Sequence, residues 1–236
     1  MTGHFRKIIC ALDTSDLDVA INTITRLKDD IGTFKVGHAL TLTYGLDVVS
    51  RLQDAGAERI FLDLKFHDIP NSVALAVREA AKRDVWMITL HTTGGPAMMI
   101  AAMEEARSVD ISPLIVGVSV LTSLDQQTLT NHIGVNRTVA EQIVYLSKLA
   151  MNCDLDGVVC SAKEIESVRQ AIGSSGIILV PGIRPPGSSS HDQARVGTAQ
   201  RALADGADYL VVGRALTEAS SISEGLESLG LSPSPV

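Results

Sequence analysis

Aromatic residues are scarce: Phe, Trp and Tyr make up only 3% of the chain. Positive charge is not in excess either, since 20 Lys and Arg stand against 27 Asp and Glu, leaving a formal charge of −7. Proteins that grip nucleic acids use a basic surface or a row of stacking rings, so neither absence favours such a partner. Cysteine is limited to Cys10, Cys153 and Cys160. Three scattered thiols do not make a disulfide framework or a zinc site, and they are expected to be reduced and mostly buried. No stretch approaches the roughly 18 continuous apolar residues of a membrane helix. The opening MTGHFRKIICALD passes from a short apolar run straight into Asp13, with no cleavage-site pattern. The expectation is a soluble, cytoplasmic protein with no nucleic-acid or membrane partner, in which a local basic pocket for a small anion is still open.

What the chain has in abundance is short β-branched runs: KIICALD, TFKVG, ERIFLDLK, VWMITLH, PLIVGVSVLT, DGVVCS, GIILVPGI and DYLVVGR. They are apolar on both faces, as strands covered on two sides should be. Helical stripes lie between them. Leu17, Ala20, Ile21, Ile24 and Leu27 share one face, with Ser15 and Asp18 resembling a capping box at its start. Val139, Ile143, Leu146 and Leu149 form a second stripe. Eight strands alternating with helices across 236 residues predict an α/β fold, a single (β/α)8 TIM barrel over residues 1–236, with a short flexible tail from about residue 231. An open doubly wound sheet is the structural rival, but no GxGxxG follows the first strand.

Barrels of this kind carry their chemistry at the carboxyl ends of the strands. Polar residues gather there: Asp13, Lys35, Asp63 with Lys65, His91, Thr122, Arg184 and Arg214. A lone aspartate after a strand reads as well as a helix cap, but so many polar ends on one rim point to a site. Asp63 and Lys65 are two apart on one strand, so they should both face the mouth, with Leu62 and Leu64 facing the helices. Asp68 follows just past the strand. Negative neighbours favour the ammonium form of a lysine, whereas a Schiff-base lysine needs the reverse. Lys65 therefore reads as a proton donor suited to a carbanion intermediate, although a structural salt bridge would use the same residues.

A second cluster, PGIRPPGSSSHDQ followed by VVGRAL, falls after the seventh and eighth strands, where phosphate sites of these barrels often lie. Gly182 and Gly213 allow close backbone approach, Arg184 and Arg214 offer charge-assisted contacts, and Gln193 sits in a long segment that could close over an anion. The expected ligand is a phosphorylated small molecule.

At this level of detail DLKFHDIPNSV resembles the DxKxxD signature of the orotidine 5′-phosphate decarboxylases, followed by their Ile-Pro. ALD, FKVG, LDLKFHDIPN, VLTS, PGIRPPG…DQ and VVGRAL follow that family in order from first strand to eighth. The resemblance implies decarboxylation of orotidine 5′-monophosphate to UMP and CO2 in pyrimidine biosynthesis, without cofactor or metal. It further implies that Asp13 bonds the ribose hydroxyls, that Lys35 bridges the sugar and the charge cluster, and that Asp63 sits against the substrate carboxylate. Lys65 would protonate C6, and Thr122 would contact the pyrimidine. Pro181, Arg184, Gln193, Gly213 and Arg214 would form the phosphate and lid set. Asp68, with Ile69 packing nearby, would be lent across a homodimer interface to the partner's site. HTTGG departs from the Ala-Ser-Gly-Gly-like turn of the family and leaves His91 without an assigned role. Two rivals stand beside this reading: a metal-dependent sugar-phosphate decarboxylase of the same suprafamily, and a barrel that only binds a phosphorylated metabolite.

Overall fold

A computed structural model of the chain describes residues 5–185 and 197–231. Its strands are β1 (Ile8–Leu12), β2 (Thr33–Val36), β3 (Arg59–Phe66), β4 (Met87–His91), β5 (Leu114–Val118), β6 (Gly157–Val159), β7 (Ile177–Val180) and β8 (Tyr209–Val212). All pair in parallel and in chain order, and β8 returns to β1, which closes the barrel. This is the expected (β/α)8 architecture, with each strand falling on one of the eight apolar runs and only β3 extending past its run, by Phe66.

Alternation along the strands sorts the side chains into two layers. Ile9, Ala11, Phe61, Met87, Val116, Leu179 and Val211 fill the inside of the barrel. Their neighbours Ile8, Cys10, Leu12, Ile60 and Leu62 belong to the larger layer between strands and helices. At the amino-terminal ends of the strands, Trp86 and Tyr209 meet edge to face at 5.1 Å, and the Arg59 guanidinium lies 4.9 Å from the Trp86 ring centre. Trp86 and Tyr209 pack against the interior layer at that end, and the polar strand ends lie on the opposite rim.

The outer helices are α1 (Leu17–Leu27), α2 (His38–Tyr44), α3 (Val48–Asp54), α4 (Pro70–Ala81), α5 (Pro96–Ala106), α6 (Gln126–Asn131), α7 (Val139–Asn152), α8 (Ile165–Ile172), α9 (Ala199–Ala204), α10 (Arg214–Thr217) and α11 (Ile222–Ser228). Ala20, Ile24 and Leu27 of α1 are buried, and Leu17 and Ile21 pack at the edge of the same core. The cap of α1 corrects the expectation. Asp16, not Ser15, accepts from the amides of Asp18 and Val19, because a carboxylate one residue before the first turn reaches both free N–H groups. A complete capping box does occur on α7, where Thr138 and Glu141 satisfy each other's amides. The three cysteines are buried and none is in a disulfide, and no helix among the described residues is long and apolar enough to cross a membrane.

Candidate active site

A cavity of about 680 Å³ opens at the carboxyl ends of the strands. Asp13, Lys35, Asp63, Lys65, Thr122, Pro181, Arg184, Gly213 and Arg214 all line it. The inward row of each strand explains why they meet. Ile9 and Ala11 lead up to Asp13, Phe61 to Asp63, Leu179 to Pro181, and Val211 to Gly213, each two residues on from an interior side chain.

Four of these residues form an alternating chain of charge. Lys35 Nζ donates to Asp13 Oδ1 at 2.8 Å and lies 3.5 Å from Asp63 Oδ2. Lys65 Nζ donates to Asp63 Oδ1 at 2.8 Å. The Lys35 and Asp63 side chains are only 11% and 12% exposed, whereas Asp13 is 67% exposed at the mouth. Burial is the strongest influence on the central pair and works against both charges. It is outweighed in each case. Asp63 and Asp13 hold the pKa of Lys35 above its ordinary value, and Lys35, Lys65 and a hydroxyl from Thr89 hold Asp63 below the usual carboxylate range. Two cations and two anions leave the array formally neutral, which is how charges survive at low exposure.

The strand that carries Asp63 and Lys65 is not regular. β3 pairs with β4 at Phe61↔Met87 and Leu62↔Ile88, and next at Phe66↔Leu90, so four residues of β3 advance against two of β4. Lys65 has φ 50°, the left-handed region that a side chain enters at a cost of about 1–3 kcal/mol. The expected reason for Asp63 and Lys65 to converge was plain alternation. The observed reason is this bulge, which turns Lys65 back onto Asp63. Thr89 of β4 stands opposite the bulge, 1% exposed, and bonds both residues. Sequence reasoning missed it. The signal was available, since Thr89 is the inward residue between Met87 and His91, but a hydroxyl inside VWMITLH reads as ordinary strand composition.

The other end of the cavity holds residues of the second sequence cluster. Gly182 takes φ 78°, a conformation that favours glycine, directly between Pro181 and Ile183. The Nε–H of Arg184 is buried and has no acceptor among the described residues. A guanidinium on a cavity wall is a group able to pair with an anion. The base of the long segment is pinned: Ile183 bridges to Gly197, and the Arg184 amide donates to Gly197 O at 3.1 Å. Gln193 lies outside the described residues.

Asp68 and Ile69 are not among the residues that line this cavity. Asp68 is exposed, its Oδ1 accepts from the Ile69 amide at 2.6 Å, and it forms no ion pair with the described residues. Ile69 is 65% exposed. His91 stands beside the site, half-buried, its ring centre 5.3 Å from that of His67. Burial, then His67 and Lys65, push its pKa down, so His91 favours the neutral ring. The HTTGG turn fits its surroundings: Thr92 donates to Val118 O, and a side chain at Gly117 would collide with the Thr92 methyl.

Comparison with known proteins supplies the lineage of this geometry. The sequence model of the Orotidine 5′-phosphate decarboxylase / HUMPS family matches residues 6–229. The orotidine 5′-phosphate decarboxylase of Pseudoalteromonas translucida is 44% identical over 217 residues, 92% of each chain. That of Actinobacillus succinogenes is 43% identical over 231 residues, 96% of this chain and 97% of the relative. Among solved structures, the orotidine 5′-phosphate decarboxylase of Lactobacillus acidophilus matches with a TM-score of 0.82 at 31% identity, covering 95% of this chain and 97% of that one. The one from Pyrococcus horikoshii OT3 has a TM-score of 0.73 at 26% identity, covering 94% and 96%. With barrel, rim and relatives in agreement over nearly the whole length, this chain belongs to the orotidine 5′-phosphate decarboxylase / HUMPS family.

Proposed function

We propose that the chain decarboxylates orotidine 5′-monophosphate to UMP and CO2; the relatives described above are named orotidine 5′-phosphate decarboxylases. The observation that supports this best is the Asp13–Lys35–Asp63–Lys65 array in the cavity, whose Lys65 ammonium would, in this reading, face the carbon on which negative charge develops. In this reading the bond between C6 and the carboxylate carbon breaks and its electron pair stays on C6. CO2 departs, a proton from Lys65 Nζ goes to C6, and solvent reprotonates the lysine. Preorganised positive charge beside the carbanion is the main source of rate. Asp63 against the substrate carboxylate adds repulsion of about 4 kcal/mol at about 4 Å and an effective dielectric near 20, relieved as CO2 leaves.

Asp13 and Lys35 would hold the ribose hydroxyls, and Thr122 the pyrimidine. Pro181, Arg184, Gly213 and Arg214 would take the phosphate together with Gln193. The buried Arg184 Nε–H, which has no acceptor among the described residues, is the strongest support for the anion end of this assignment. Binding energy gathered there, far from C6, lowers the barrier at the reacting carbon. Asp68 would complete the site of a second copy in a homodimer. An exposed carboxylate beside a 65% exposed isoleucine, outside the cavity of its own chain, supports that placement.

The direct test follows loss of orotidine 5′-monophosphate by absorbance, with and without EDTA. Turnover to UMP at the same rate in both is expected. Activity that chelation abolishes would favour the metal-dependent sugar-phosphate decarboxylase, and UMP binding without turnover would favour the barrel that only binds.

A further inference from the structure

Lys65 is held by a closed ring of hydrogen bonds that begins and ends on itself. Its backbone N–H donates to Thr89 Oγ1 at 2.9 Å. That hydroxyl donates to Asp63 Oδ1 at 2.9 Å, and the same carboxylate oxygen accepts from Lys65 Nζ at 2.8 Å. The direction of each bond is forced. A peptide N–H can only donate and an ionised carboxylate can only accept, so the hydroxyl must accept from one and donate to the other. Thr is also stiff about χ1, which fixes where the oxygen points.

The ring sits where the backbone most needs it. Between the Leu62↔Ile88 and Phe66↔Leu90 pairings, Thr89 is the single β4 residue facing three residues of β3. There the Lys65 amide donates to the Thr89 hydroxyl, and Lys65 takes φ 50°. Thr89 is 1% exposed and absent from the cavity wall, so it stands behind the site rather than on its surface.

We propose that Thr89 is a positioning residue, which holds the Lys65 backbone in its left-handed conformation and the Asp63 carboxylate in one orientation, so that the Lys65 ammonium is aimed at the reacting carbon. The inference rests on the decarboxylase reading above. Thr89→Val keeps the shape and removes the hydroxyl, and should lower kcat about 100-fold, the scale of loss from a small misplacement of a reacting group. The Kd for UMP should stay within about threefold, because binding and aim are separate tasks. Thr89→Ser keeps the hydroxyl and should remain within about fivefold of the unsubstituted chain in kcat, since the ring can still form. Should the valine variant fail to fold by circular dichroism, Thr89→Cys carries the test, with a weaker donor and acceptor in nearly the same volume, and its kcat should fall about tenfold. A valine variant within twofold of the unsubstituted chain in kcat, or a serine variant as impaired as valine, overturns the proposal. Absence of turnover by the unsubstituted chain overturns the decarboxylase reading and this inference together, whereas normal turnover by all variants overturns the inference alone.

Discussion

Replacing Lys65 with alanine is expected to lower kcat for orotidine 5′-monophosphate by at least about 10³-fold, combining the scale of a lost general acid with that of a lost stabilising charge. The expectation follows from position. Lys65 Nζ is 2.8 Å from Asp63 and its side chain is 30% exposed, so it is held from one side and open to the cavity from the other. Removal should not unfold the chain. The buried partner Asp63 keeps Lys35 at 3.5 Å and the Thr89 hydroxyl at 2.9 Å, so it is not left as an uncompensated charge. Steady-state kinetics with circular dichroism separates the outcomes. A folded Lys65→Ala variant with near-normal kcat removes Lys65 from the mechanism.

The second large effect is a recovery. Asp68→Ala and Lys65→Ala chains should each be nearly inactive alone, and activity should return when they are mixed under conditions of subunit exchange. In a two-fold dimer a hybrid has one site with both lesions and one site with neither, so an equal, random mixture should regain about one quarter of the normal sites. The prediction rests on the homodimer that the family resemblance implies, and the exposed place of Asp68 outside its own cavity, beside exposed Ile69, accords with it. Leu75 of α4 and Ile100 of α5, helices that pack against each other, add further exposed apolar surface to this side of the barrel. Mixing with demonstrated exchange and no recovery would place Asp68 outside any shared site.

Most of the fold was legible because burial on two faces leaves a plain mark. Stretches such as IICAL and IILV are apolar at every position, and each became a strand with one set of side chains in the barrel and the other under the helices. The rim was legible for the same reason: Asp13, Lys35 and Asp63 interrupt those runs on the inward side, where charge is costly without a partner. The distortion of β3 was not legible. Nothing in FLDLKF marks Lys65 for φ 50°, since that conformation is stabilised by Thr89, 24 residues away on another strand. Thr89 itself was hidden by its type, because Thr is among the commonest strand residues and only its contacts set it apart. The cap on α1 shows a smaller limit of the same kind. Ser15 and Asp16 are both good capping residues, and one position of phase decided between them.

The structure of the chain bound to UMP tests the central claim most directly. The account predicts Lys65 Nζ within about 3–3.5 Å of C6, the separation of groups poised to react. Arg184 and Arg214 should lie against the phosphate in the same complex, at the far end of the cavity. A nucleotide bound with its C6 far from Lys65, and that side chain directed into solvent, would contradict it.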